Sequence, residues 1–167
     1  MQKELSPSKT FQSIQVLYGA LILGITNFGF VLIVLYFLDI IPLSEIPERF
    51  IFNMMGVSSL LMIVSFLGGR LFLKKAIEKS FNEPVLVEKL KIYRKGLLAS
   101  GLLLDFSAFL SLAIFMASIH VSFLIIAGVA LVLILKDFPT KAKTIKLLQL
   151  NYSDEHNLSA KDINENS

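Results

Sequence analysis

GLLASGLLLDFSAFLSLAIFMASIHVSFLIIAGVALVLIL, residues 96–135, decides how this chain folds. The stretch holds two ionisable side chains, Asp105 and His120, in an otherwise apolar and hydroxyl-dotted run. A helix that crosses a bilayer needs about 20 apolar residues. The run is too long for one crossing and suits two. The break falls at Ser118-Ile119-His120-Val121-Ser122, a short β-branched, hydroxyl-rich segment. The reading is a helix over 97–117 and a shorter one over 121–136.

Working outward, two more apolar runs of spanning length precede it. One covers 14–38. The other covers 50–69 and is bounded by Arg49 and Arg70. The expected fold class is therefore all-α: a four-transmembrane-helix bundle forming one membrane domain over 1–150. Composition agrees. The chain has 167 residues, 54% of them hydrophobic, against about 45–50% in soluble domains. Cysteine is absent, which excludes disulfides, thiolate metal sites and cysteine nucleophiles. No cleavable leader is expected; the first apolar run is long enough to act as an anchor.

Lysine and arginine set the orientation. The chain has 16 of them, and only Arg49 falls in a loop assigned to the outside. The N-terminal tail, the loop 70–95 and the segment after Leu135 carry all the others. This predicts both termini inside, N-in/C-in. The inner loop contributes Arg70, Lys74, Lys75, Arg94 and Lys95 to a basic interface, and the segment after the last span adds Lys141, Lys143 and Lys146. These residues are first an orientation signal and second candidate contacts for anionic lipid head groups.

Local signals refine the plan. Ser8, after Pro7, is a candidate helix cap. Pro42 and Pro47 suit an ordered, non-helical crossing between the first two spans. The inner loop reads as two helix extensions around Asn82-Glu83-Pro84. Val85, Val87, Leu90 and Tyr93 leave an apolar stripe there, fit for packing within a cap or for docking a partner. Pro139 ends or kinks the fourth helix. Residues 140–150 then alternate Ala142, Ile145 and Leu148 with lysines, as in a short amphipathic helix. The tail 151–167 is polar and expected to be disordered. Its two glycosylation sequons, at Asn151 and Asn157, are read as chance matches on the inner side.

Asp105 is the main candidate for chemistry. An aspartate at the centre of a spanning helix costs about 2.5–3.5 kcal/mol on insertion scales. It must stay protonated, pair with a cation or face water. Thr26 and Asn27 are its expected polar neighbours at that depth. Helices one and three overlay at an offset that sets Gly24 opposite Asp105 and Phe28 opposite Phe109. That overlay raises the option of two parallel helical hairpin repeats. Gly24, Gly101 and Ala108 leave room for close helix packing, and Ser107 and Ser111 belong to a second small face with Gly96 and Ser100. Helix three is thus expected to be packed on two sides, within a bundle or an oligomer.

Other chemistry is excluded by pattern. No phosphate-binding loop, carboxylate pair, histidine cluster or serine elbow is present. His120 is read as an interfacial loop residue, since a lone histidine makes no metal site. The expectation is a non-enzymatic protein with no cofactor or metal. Its partners are the bilayer and either a second copy or another membrane or cytosolic protein, with no nucleic acid. An ion-coupled component using Asp105 is the alternative.

Glu88-Lys-Leu-Lys-Ile-Tyr93-Arg, Leu-Leu-Leu-Asp105-Phe-Ser-Ala-Phe109 and Pro139-Thr-Lys-Ala-Lys followed by Leu-Gln-Leu150 carry a resemblance. Together they look like a set of small four-helix bacterial inner-membrane proteins. That resemblance implies a bacterial inner-membrane location and an acidic residue, more often Glu, at the Asp105 position. It implies no activity. The run around Asp105 is also similar to the ion-carrying helix of rotary ATPase proteolipid subunits. Gly19, Gly24 and Gly29 are too sparse for those subunits' glycine-rich first helix, and the long charged inner loop departs from them as well.

Overall fold

A computed structural model describes residues 6–40 and 46–159. Among these the chain is all-α: α1 (Pro7–Phe37), α2 (Glu48–Ser80), α3 (Leu86–Ser118), α4 (Ser122–Lys136), α5 (Lys141–Leu148) and α6 (Tyr152–Ser159). Three of them, α1, α2 and α3, are long and apolar enough to cross a membrane.

The helix ends follow local chemistry. Ser6, not Ser8, caps α1: its hydroxyl accepts from the Lys9 amide at 3.3 Å, and Pro7 takes the first helical position. A proline there gives up only an amide that has no partner anyway. Part of the expected non-helical crossing, 41–45, lies outside the described residues. Pro47 stands immediately before α2. The two helix extensions form as expected, and the turn between them holds Asn82-Glu83-Pro84. The break between α3 and α4 falls at Ile119, in the left-handed region at φ 54°. A β-branched residue there is strained by about 1–2 kcal/mol.

α3 is the centre of the assembly. In its apolar window 44% of residues are buried, against 11% in those of α1 and α2. Small residues explain why. A Cβ at Gly96 would collide with Ala76, and one at Gly69 would come within 2.7 Å of the Ser100 hydroxyl. These contacts bring α2 and α3 together antiparallel. On a separate stripe, a Cβ at Gly101 would meet the Tyr18 ring of α1 at 2.9 Å. The expected two-sided packing of α3 is therefore present, with Ser107, Ala108 and Ser111 all buried.

α1 runs parallel to α3, and the Phe28 and Phe109 rings are 5.4 Å apart. Of the two pairs in the overlay, Phe28 and Phe109 touch, while the neighbour of Gly24 is Phe109 and not Asp105. The two halves pack differently, however. α3 and α4 form a packed hairpin, whereas α1 and α2 have no extensive contact with each other and both pack on α3. The small residues that admit close neighbours lie on α3, so both helices are drawn to it rather than to one another.

α4 has 15 residues, about 22 Å at 1.5 Å per residue. It turns by 72° into α5. Asp137 and Pro139 occupy the joint. Large apolar side chains such as Val16, Phe30 and Phe52 stay exposed on α1 and α2. In water such faces would drive aggregation; against hydrocarbon they are ordinary.

The expected disorder of the tail does not hold over 152–159. Asn151 caps α6 by accepting from the Asp154 amide at 2.8 Å. Leu158 is buried, and Lys89 of α3 lies 4.0 Å from Asp154. One buried leucine and one ion pair dock a segment whose average composition is polar. The remainder of the tail, 160–167, lies outside the described residues.

Candidate functional site

Two carboxylates matter, and they differ in company. Asp105 lies on the stripe of α3 that meets α1, one turn from Gly101 and one from Phe109. It is half-buried, and its Oδ1 is buried without a hydrogen-bond partner. The expected neighbours do not supply one. Thr26 donates its hydroxyl to the Ile22 carbonyl of its own helix at 2.8 Å. A threonine in mid-helix commonly bonds back in this way. Asn27 is exposed on α1. Gly24 is exposed too, and a Cβ there would touch the Phe109 ring at 3.8 Å. The packing role of Gly24 is therefore against Phe109, beside Asp105.

The second carboxylate, Asp137, was not singled out by sequence. It follows the last residue of α4 and its side chain is 3% exposed. A negative charge at a helix C-terminus faces the unfavourable end of the dipole. That mismatch was the available signal, and it demands cations. Two are present: Arg70 Nη2 at 3.2 Å and Lys143 Nζ at 3.5 Å, both on Oδ1. Lys143 also donates to the Lys136 carbonyl at 2.8 Å, so it caps α4 while it holds the aspartate. Arg70 is steadied by the Phe66 ring, 5.2 Å from its guanidinium. Asp137 Oδ2 is buried without a hydrogen-bond partner.

Around this knot α1, α4 and α5 close the basic end of the molecule. The Tyr18 hydroxyl donates to the Ile134 carbonyl at 3.3 Å, and Gln15 donates to the Pro139 carbonyl at 3.0 Å. The Thr140 hydroxyl caps α5 by accepting from Lys143 N–H. Thr144 and Leu148, rather than Ala142, form the buried face of α5. The stripe on α3 is likewise shifted: Leu86, Leu90 and Tyr93 are buried while Val85 is exposed. Tyr93 precedes the apolar window of α3, and burial pushes its phenol above the ordinary tyrosine range.

The other basic residues divide. Lys74 lies 3.8 Å from Glu78 on its own helix. Lys75, Lys95, Lys141 and Lys146 are exposed, and Arg94 is half-buried. Beside the Arg70 knot opens a cleft of about 460 Å³ lined by apolar side chains and this set of charges. Among the described residues no group of histidines and carboxylates could hold a metal ion. His120 sits in the turn before α4, against the Phe123 ring. Comparison with known proteins finds no matching family model, no matching curated protein and no matching solved structure.

Proposed function

We propose that this chain is a non-enzymatic integral membrane protein of structural, accessory or regulatory type. In this reading α1 to α4 are four spans with both termini cytoplasmic, in a bacterial inner membrane. The basic end is then a cytosolic platform built from the ends of α2 and α3 together with α5 and α6. The observation that carries the reading is the Arg70–Asp137–Lys143 knot. It joins three elements at the end of the apolar windows and ties the short α4 to its neighbours where the hydrocarbon would end. Its chemistry is structural: the two cations offset the buried carboxylate and leave one positive charge, and among the described residues neither an activated nucleophile nor a poised acid–base pair accompanies them. The fourth span is short, and the bend into α5 supplies the amphipathic segment that completes it at the interface.

A second reading rests on Asp105. A carboxyl oxygen with no partner at the middle of a span is a candidate proton or ion carrier. Against it, no second acid and no broken helix accompany Asp105 among the described residues. Proton flux into sealed liposomes containing the purified protein, under an imposed potential, separates the two. The accessory reading expects equal, background flux for the wild type and Asp105→Asn. Flux that Asp105→Asn abolishes in a folded protein would replace it with the carrier reading.

A further inference from the structure

The cleft at the basic end combines features that a soluble anion site does not need. Three cations reach it, Arg70, Lys74 and Lys143, and two carboxylates, Glu78 and Asp137. One positive charge is left over. Within the knot the charges are sorted by depth. The Asp137 side chain is 3% exposed, while those of Arg70, Lys143 and Lys74 are 40%, 34% and 75% exposed. An incoming ligand therefore meets Arg70 and Lys143 with the carboxylate of Asp137 covered behind them, while Glu78, 59% exposed, stays at the rim beside Lys74. Because Arg70 and Lys143 both grip one oxygen of Asp137, their heads are held close together before any ligand arrives. Such preorganisation spares a ligand the cost of ordering two long side chains.

The walls are apolar. Leu73 and Leu97 are buried there, and Ile77 and Leu147 line the opening. The cleft also begins where the apolar window of α2 ends, with Arg70 directly after Gly68-Gly69. A ligand that fits has an anionic head at the level of Arg70 and hydrocarbon on the Gly68-Gly69 side of it. Basic pockets between spanning helices on the cytoplasmic side take phospholipid head groups in this way.

We infer that the cleft between α2, α3 and α5 is a binding site for the head group of one anionic phospholipid, its phosphate on Arg70, Lys74 and Lys143 and its acyl chains directed back toward the apolar run of α2 that ends at Gly68-Gly69. The inference rests on the membrane reading above and gives the cytosolic platform a defined ligand. Bound there, the lipid bridges α2 and α5 and secures the joint after α4.

The test uses the full-length protein purified in a neutral detergent, with native mass spectrometry counting bound lipid. Phosphatidylglycerol and phosphatidylcholine share acyl chains and differ in net charge. The expected result is one phosphatidylglycerol bound at least fivefold more tightly than phosphatidylcholine. That preference should fall about fivefold in Lys143→Gln and by less in Lys74→Gln, each removing one interfacial cation. The Arg70→Gln Asp137→Asn double variant, which leaves the net local charge unchanged but removes the guanidinium and the carboxylate that holds Lys143 in place, should lose the preference. If that variant does not fold, the two lysine variants decide the matter. Equal binding of the two lipids, or variants that keep the wild-type preference, would overturn the inference. So would soluble glycerol phosphate competing as well as the lipid, since that would make the site one for a free phosphate. The measurement is made in detergent, so it stands apart from the orientation of the chain in a membrane.

Discussion

Asp105 and Asp137 are the same residue under opposite conditions. Asp105 interrupts an apolar run and is conspicuous in the sequence, yet no side chain answers its buried oxygen. Asp137 sits in an unremarked Lys-Asp-Phe-Pro string, yet two cations from other segments meet it. Prominence in the sequence measured the cost of burying the carboxyl; it carried no information on whether that cost was offset. Asp154 falls between them, with 18% of its side chain exposed and a single lysine at 4.0 Å.

The three aspartates should respond differently to substitution. The largest effect belongs to Asp137. Arg70→Ala strips a covered carboxylate of its nearer cation and should cost about 2–3 kcal/mol. That is below the full penalty for breaking a buried pair, because Lys143 remains. Reversible unfolding in detergent would measure it, and adding Asp137→Ala should recover at least half of the loss. A neutral Arg70→Ala would mean that the knot does not organise the basic end.

Asp105 should show the opposite sign. With no pair to lose, Asp105→Leu removes a polar group from an apolar helix and should stabilise the protein by about 2 kcal/mol. Asp105→Asn should stay within about 1 kcal/mol of the wild type. Strong destabilisation by either, in the same unfolding experiment, would reveal a hidden partner and erase the contrast.

The helix that carries Asp154 gives a smaller effect. Asn151→Ala removes the α6 cap and should loosen that helix by about 1 kcal/mol. Faster amide exchange over 154–158 would report it. The smallest effect is Lys89→Ala, at about 0.5 kcal/mol, because a pair at 4.0 Å is weak. A larger loss there would move Asp154 toward the Asp137 class.

These contrasts show what could be read from residues alone. The long helices were legible because apolar length is a local property, and so was the turn at Asn82-Glu83-Pro84. The close packing of Gly96 and Gly101 was legible as the presence of small residues, while which helix each would face was not. The Asp137 knot was only half legible: an acid at the end of α4 asks for cations and Lys143 follows within six residues, but nothing in the chain order points to Arg70 of α2. α6 was missed for a related reason. Its composition is polar, and its docking depends on Leu158 and on Lys89 from a different helix. The cap on α1 moved from Ser8 to Ser6 because Pro7 prefers the first position inside a helix.

The central claim is that every basic platform element lies on one side of a membrane and the α3–α4 turn on the other. The absence of native cysteine makes a direct test clean. Single substitutions Asn82→Cys, Asn157→Cys and His120→Cys would be probed in intact cells with a membrane-impermeant maleimide. The account predicts labelling at position 120 only, with positions 82 and 157 reacting once the membrane is opened. Labelling of position 82 or 157 from outside, or of all three without distinction, would contradict it.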